Sequence, residues 1–317
     1  MRKVTLALCA IASAFAQSSH FDVIVRNAKV VDGTSSPWFY SDIGINGDTI
    51  AAIGQLASAS ATIQIDARGL TAAPGFIDVH SHGDRGIFAT PAAENYLREG
   101  VTTFIGGPDG SSEIPLGPFL KRVAAAKPAI NFGSMAGQGS IRAKVIGTIN
   151  RKATTEEIQR QKELARQAML DGAFGLSTGL FYIPGNFTPT EEVVEIAKVV
   201  GAMGGYHTSH MREEASHVLD SVKETIRIGE EGHLPTQITH HKIIGKDNWG
   251  KSVETLALVE AARARGVDVT LDQYPYTASS TALNALFPRG SLAGGRNAVL
   301  ERLGSSEQRA RIKAGIV

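Results

Sequence analysis

The sequence predicts an α/β chain, a TIM-like (β/α)8 barrel left incomplete at about seven strands and preceded by a small N-terminal β subdomain. Three observations predict it. After Pro74 the chain repeats one apolar strand, one loop and one amphipathic helix. Before Pro74 it runs in short alternating segments separated by turns. Histidines and carboxylates stand at the ends of successive predicted strands.

Taken in order, the first twenty residues look like an export signal. Met1-Arg2-Lys3 precedes an apolar stretch from Val4 to Phe15, and Ala14-Phe15-Ala16 offers small residues for cleavage before Gln17, which gives a signal peptide over residues 1–16. The apolar run is shorter than the roughly 20 residues a bilayer span needs, so no stable membrane span is expected. Cys9 is the single cysteine and would leave with the signal, which excludes disulfides and thiolate ligands from the mature chain. A metal site here must use nitrogen and oxygen.

Residues 21–73 alternate apolar and polar in five short runs: Asp22–Val25, Ala28–Val31, Asp42–Ile45, Thr49–Ile53 and Thr62–Ile65. Asp32-Gly33 and Asn46-Gly47 supply turns, so the stretch reads as a small antiparallel β unit. Ala57–Ala61 reads as a loop. From residue 74 to 317 the barrel strands are placed at Phe76–His82, Thr102–Gly107, Ile130–Met135, Phe174–Leu180, Gly205–Met211, Pro235–Lys242 and Asp268–Tyr274. Thr154 with Glu157 opens one intervening helix as a capping box. Thr188, Pro189 and Glu191 open another, and Gly266 stops the run Val253–Arg265. Ala282–Val317 reads as loop plus helix.

With 317 residues, 43% hydrophobic, 20% charged and a formal net charge of +1, the chain has ample length for a core and little attraction for polyanions. No Lys/Arg run or basic–aromatic stripe appears. Nucleic acid is therefore excluded as a partner, and a small molecule is expected.

In a barrel of this kind functional residues gather where strands end and βα loops begin. On a strand, His80 and His82 share a face and can turn toward one ion. His210 and His240 end the fifth and sixth predicted strands, Asp109 follows the second, and Asp272 and Tyr274 end the seventh. Imidazoles with a carboxylate form a ligand set suited to Zn²⁺ and permissive of other divalent ions. His207 lies three residues from His210, so at most one faces inward, and His210 is favoured. His240 shares its face with Lys242, while His241 reads as a packing or supporting group. His20, His217 and His233 read as surface residues, and Asp78 as a source of orienting hydrogen bonds. Asp109 reads either as the turn aspartate of Pro108-Asp109-Gly110 or as a metal contact. Lys242, Tyr182, Tyr274 and Ser280 are the nearby groups able to hold a carboxylate or oxyanion, unless they are a solvated lysine and turn-capping hydroxyls.

The motif Gly75-Phe76-Ile77-Asp78-Val79-His80-Ser81-His82 resembles the first-strand signature of the amidohydrolase superfamily, metal-dependent hydrolases in which both histidines bind metal. More narrowly, Gly175–Tyr182, Ser209–Glu214, Thr239-His240-His241-Lys242, Asn248-Trp249-Gly250 and Leu271–Tyr276 resemble the N-acyl-D-amino-acid deacylases. The likeness runs from about Phe21 to the C-terminal end. It implies that His210 and His240 hold a tightly bound zinc, that His80 and His82 belong to a second, weaker position, and that Lys242, Tyr182, Tyr274 and Ser280 bind the carboxylate side of the substrate. Asp109 stands where many of these deacylases place a cysteine ligand.

The family's general base, an aspartate on the eighth strand, and the C-terminal residues that return to the small β unit have no counterpart in this sequence. The expectation is thus a chain truncated before the eighth strand, with an open edge, reduced stability and weak or absent turnover, and with no catalytic base assigned. The expected reaction is removal of the N-acyl group from an N-acyl-D-amino acid by the exported protein. Its rivals are another amidohydrolase specificity (a cyclic amide, an N-acyl-L-amino acid or a dipeptide) and a non-catalytic metal-binding remnant.

Overall fold

A computed structural model describes residues 20–316 of the chain. The expected signal peptide and Cys9 lie outside the described residues. Contacts divide the chain into two compact units, one ending at Gly75 and one beginning at Phe76. Among the described residues, no helix is long and apolar enough to cross a membrane.

The first unit is a sheet of β1 (His20–Val30), β2 (Phe39–Asn46), β3 (Thr49–Gly54), β4 (Ser60–Asp66) and β5 (Thr71–Ala72), ordered β3-β2-β1-β4 with β5 beside the end of β1. It is mixed, not antiparallel: β2 and β3 form hairpins, whereas β4 and β5 run parallel to β1. The two runs expected at Asp22–Val25 and Ala28–Val31 are one strand. A bulge between Val25 and Ala28 shifts the alternation, which is why sequence periodicity separates them. Asp42 takes up the donors freed at the bulge, accepting from Asn27 N–H at 2.9 Å and from Arg26 Nη1 at 3.2 Å. His20 begins β1 against Ser60, and Ser60 and Ala61, expected in a loop, open β4.

In the second unit, β6 (Phe76–Asp78), β7 (Val101–Gly106) and β8 (Asn131–Ser134) form a parallel three-stranded sheet. Then β9 (Ala136–Gly137), β10 (Gly175–Gly179), β11 (Tyr206–His210), β12 (Thr236–Ile238) and β13 (Val269–Leu271) form a parallel sheet in sequence order. Only Met135 separates β8 from β9, and its N–H donates to Gly106 O at 2.9 Å. No ladder joins β6 to β13 among the described residues, so the sheets do not close.

Helices connect the strands: α1 (Glu94–Leu97), α2 (Leu116–Ala126), α3 (Gln138–Val145), α4 (Thr155–Leu170), α5 (Thr190–Gly201), α6 (Val218–Gly232), α7 (Ser252–Ala264), α8 (Gly295–Gly304) and α9 (Ser306–Ala314). The α4 capping box forms, with Glu157 N–H on Thr154 Oγ1 and Thr154 N–H on Glu157 Oε2. Thr188 does not cap α5; Pro189 takes that position, and Thr188 Oγ1 instead accepts from buried Gln138. On α6, Val218, Val222, Thr225, Ile226 and Gly229 recur at helical spacing and face the core. They help bury Met211, Ile238 and Val269 from the strands below.

Six of the seven predicted strands are shorter than expected, while β7 keeps its six residues one position earlier. β6 stops at Asp78, β12 at Ile238 and β13 at Leu271, so His80, His82, His240, Lys242 and Tyr274 lie beyond the ladders. Past these ends side-chain and backbone partners alternate: Asp78 Oδ1 accepts from His80 N–H and Asp272 Oδ1 from His240 N–H, while Ser81 N–H still reaches Ile105 O and His241 N–H reaches Asp272 O.

Fully buried His207 bridges three strands, with Nε2 2.9 Å from Thr178 Oγ1 and Nδ1 2.7 Å from Thr236 Oγ1. Burial pushes its pKa down from 6.5 to about 3, so the ring is neutral in the fold. The unfolded chain then binds the extra proton between those values. The stability His207 contributes is complete above pH 6.5 and is lost as pH falls toward 3, at about 1.4 kcal/mol per unit. Denaturant melts of the wild type and His207→Gln across that window read out the difference in slope. Equal slopes would rule this account out.

Candidate metal centre

The centre is built from loops that follow five parallel strands. After β6, Ser81 N–H returns to Ile105 O, and Ser81 Oγ lies 2.6 Å from Tyr96 Oη, fixing the bend that carries His80 and His82. After β7, the chain turns through Gly107, Asp109 and Gly110, all with positive φ. Asp109 is the unusual member, because a non-glycine residue in the left-handed region carries strain that its surroundings must offset. β10 supplies the support: Ser177 Oγ donates to Gly107 O at 2.6 Å and accepts from Gly110 N–H at 3.1 Å. A Cβ at Gly179 would lie 2.0 Å from Asp109 O, so only glycine lets this turn sit against the strand.

Asp109 is thus the turn aspartate, and the turn also carries its side chain in among the histidines. Its carboxylate lies 3.2 Å from His82 Nε2, 3.5 Å from His80 Nε2, and 3.8 Å from both His210 Nδ1 and His240 Nε2. His210 ends β11. His240 lies past β12 with φ 39°, held by Asp272, whose other oxygen accepts from Gln237. The His210 and His240 rings pack edge-on with centroids 4.4 Å apart and nitrogens 2.7 Å apart.

Burial alone would raise the Asp109 carboxyl, but the surrounding His210, His80 and His82 imidazoles outweigh it and hold the group far below the usual carboxylate range. Burial pushes His80 down, and Asp109 more than reverses that, raising it. For His210 burial wins and the ring is lowered.

The residues fit a divalent cation. Ligands about 2 Å from a tetrahedral ion stand about 3.3 Å apart, close to the contacts Asp109 makes with His80 and His82. Asp109 Oδ1 is buried without a hydrogen-bond partner, an acceptor a cation would satisfy. One donor atom from each of His80, Asp109 and His240, and likewise from His210, Glu214 and His240, fall within 4.8 Å of one another. His82, 42% exposed, sits at the rim.

The expected substrate-holding residues divide. Tyr182 packs 4.6 Å from the His210 ring, and its Oη lies 3.2 Å from Thr281 Oγ1. Tyr274 lies 6.4 Å from the His240 ring. Lys242 is close to His240 but is not a free cation: its Nζ lies 2.7 Å from Glu214 Oε2. Ser280 is exposed on the segment after β13, where the contact to Tyr182 comes from its neighbour Thr281. His241 packs outward, Nε2 2.9 Å from Thr255 Oγ1 on α7.

Sequence reasoning missed Glu214. It is buried, four residues past His210, and touches both His240 and Lys242. Its signal was present in Ser209-His210-Met211-Arg212-Glu213-Glu214, but two adjacent glutamates gave no reason to choose between them. Glu213 instead caps the next segment, accepting from Ala215 and His217 N–H.

Gly179→Ala is expected to drive Asp109 from its place and weaken divalent-metal binding tenfold or more, with a folding cost of about 1–3 kcal/mol. Chelator competition and thermal melting measure the two effects. Unchanged affinity would show that β10 does not set the Asp109 turn.

No family model matches the chain. It is 39% identical to D-aminoacylase of Alcaligenes xylosoxydans xylosoxydans over 289 residues, which is 84% of this chain and 60% of the relative. A D-aminoacylase structure described by its binuclear metal centre superimposes with a TM-score of 0.78 at 39% identity, covering 84% of this chain and 61% of the other. N-acyl-D-glutamate deacylase from Bordetella bronchiseptica, complexed with zinc and a phosphonate mimic of the tetrahedral intermediate, gives 0.79 at 32% identity, covering 81% and 59%. The chain thus spans about three fifths of the length of the relatives it matches. Over the stretch they share, it is homologous to the N-acyl-D-amino-acid deacylases of the amidohydrolase superfamily.

Proposed function

We propose that this chain carries the metal-binding part of an amidohydrolase that removes the N-acyl group from N-acyl-D-amino acids. The observation that carries the reading is the convergence of four imidazoles, from two loops and the end of β11, on one buried carboxylate, Asp109. His80, His82, Asp109, His210 and His240 would hold zinc, as one ion or two. Zinc in such a site supplies Lewis acidity, lowering the pKa of water and polarising an amide carbonyl.

The protein's own residues do the rest. Asp78 and Asp272 fix the loops that carry His80 and His240. The Tyr182 and Tyr274 rings wall the approach to His210 and His240. Lys242, beside the Tyr274 ring, is the cation placed to attract the carboxylate of an acylated amino acid. The homology supports the D-series and amide chemistry. We read the two parallel sheets as consecutive arcs of one seven-stranded barrel wall, a reading supported by Met135, which links them through a single residue.

Assays of a form extended to the length of its relatives with N-acetyl-D-amino acids, N-acetyl-L-amino acids and hydantoins, alongside the metal content of this chain, test the proposal. Hydrolysis of the D series, loss of activity on chelation, and loss of tightly held zinc in His210→Ala and His240→Ala are expected. Preference for the L series or for hydantoins would overturn the specificity, and a chain that takes up no zinc would overturn the site.

Export is a further part of the proposal. It rests on Met1-Arg2-Lys3 and the apolar run that follows. A mature N-terminus at Gln17 on secreted protein supports it, and an intact Met1 on the functional protein counts against it.

A further inference from the structure

Behind His240, on the side away from Asp109, lies a second buried carboxylate. Glu214 Oε1 is 3.1 Å from His240 Nδ1, and its two oxygens are 2.8 and 2.7 Å from Lys242 Nζ. Lys242 Nζ itself is 3.0 Å from His240 Nδ1 and 3.1 Å from His240 O.

The chemistry of a neutral imidazole constrains this cluster. His240 presents Nε2 to His210 and Asp109, so it would bind a cation through Nε2 and must then carry its proton on Nδ1. That proton needs an acceptor. An ammonium has none to offer, and Asp272 is engaged with the His240 backbone and Gln237. Glu214 is the group at Nδ1 that can accept. Lys242 Nζ, which can only donate, also stands 3.0 Å from Nδ1, so once Nδ1 carries its proton the Glu214 carboxylate is the group that must pair with both.

We propose that Glu214 is a positioning residue. It holds His240 in the Nδ1-protonated form while also fixing Lys242, so that one carboxylate orients both a metal ligand and the cation meant for the substrate's carboxylate. The inference rests on the zinc reading above.

Zinc affinity of the full chain, measured by chelator competition, provides the test. Glu214→Gln is expected to bind zinc at least tenfold more weakly, within the 10- to 100-fold range typical of lost partners to metal-bound histidines. Glu214→Gln combined with Lys242→Met is expected to bind as weakly, since His240 still lacks its carboxylate. Affinity within twofold of wild type in Glu214→Gln would overturn the inference. So would recovery in the double variant, which would assign Glu214 to neutralising Lys242 alone. A measurement on the wild type is independent of whether the variants fold: long-range proton–nitrogen NMR of the zinc-loaded chain should show His240 protonated at Nδ1. Metal on Nδ1 would overturn the proposal. A wild-type chain that binds no zinc would fell the metal reading and this inference together, whereas normal zinc binding in Glu214→Gln would fell this inference alone.

Discussion

The Asp109 carboxylate is the constraint on which the site depends, because imidazoles from two loops and the end of β11 meet around its two oxygens. A carboxylate is placed at the centre with imidazole nitrogens around it. In a buried setting such an arrangement is costly unless the carboxylate is paired or coordinates a cation. Its backbone adds a second cost, the left-handed conformation at a non-glycine residue. Ser177 and Gly179 on the neighbouring strand β10 offset that cost by binding the turn from one side and leaving room for it on the other.

The same device recurs at the other ligand-bearing loops. Asp78 takes the His80 N–H, and Asp272 takes the His240 N–H while His240 occupies its own left-handed position. At His80 and His240 the loop has left its ladder, and a carboxylate takes the backbone N–H. These two donors are aimed by hydrogen bonds to side chains, whereas His210 is aimed by the end of β11. Such second-layer partners orient metal-binding groups as much as the strands beneath them do.

This explains which parts of the molecule were legible in the sequence. The α/β alternation could be read because buried strands and amphipathic helices differ in apolar period, and the observed strands overlap their apolar runs, though most are shorter and β9 was not foreseen. His80, His82, Asp109, His210 and His240 could be located because each follows such a run within a few residues. What periodicity could not show was the geometry that brings them together. His80 and His82 do not share the face of a strand, since β6 ends at Asp78, and the relation of His240 to Lys242 comes from a positive φ and a shared carboxylate. In the first unit the bulge in β1 broke the alternation and made one strand look like two. Glu214 was missed because its role depends on burial beside residues 26 and 28 positions further along the chain, which no local spacing reports.

The opposing shifts of His80 and Asp109 are one interaction seen from both sides. Asp109 raises His80 against the effect of burial, and His80 helps hold Asp109 down. A proton on the imidazole and a divalent cation between the two residues satisfy the same negative charge, so they compete for it. Glu214 creates a like situation on the far side of His240, where Lys242 already supplies the compensating charge. The site thus has two carboxylates with different partners: Asp109 faces donors that a cation can bridge, while Glu214 faces an ammonium fixed in the chain. That difference is why we propose metal binding for the first and orientation for the second, although both lie against the same histidine.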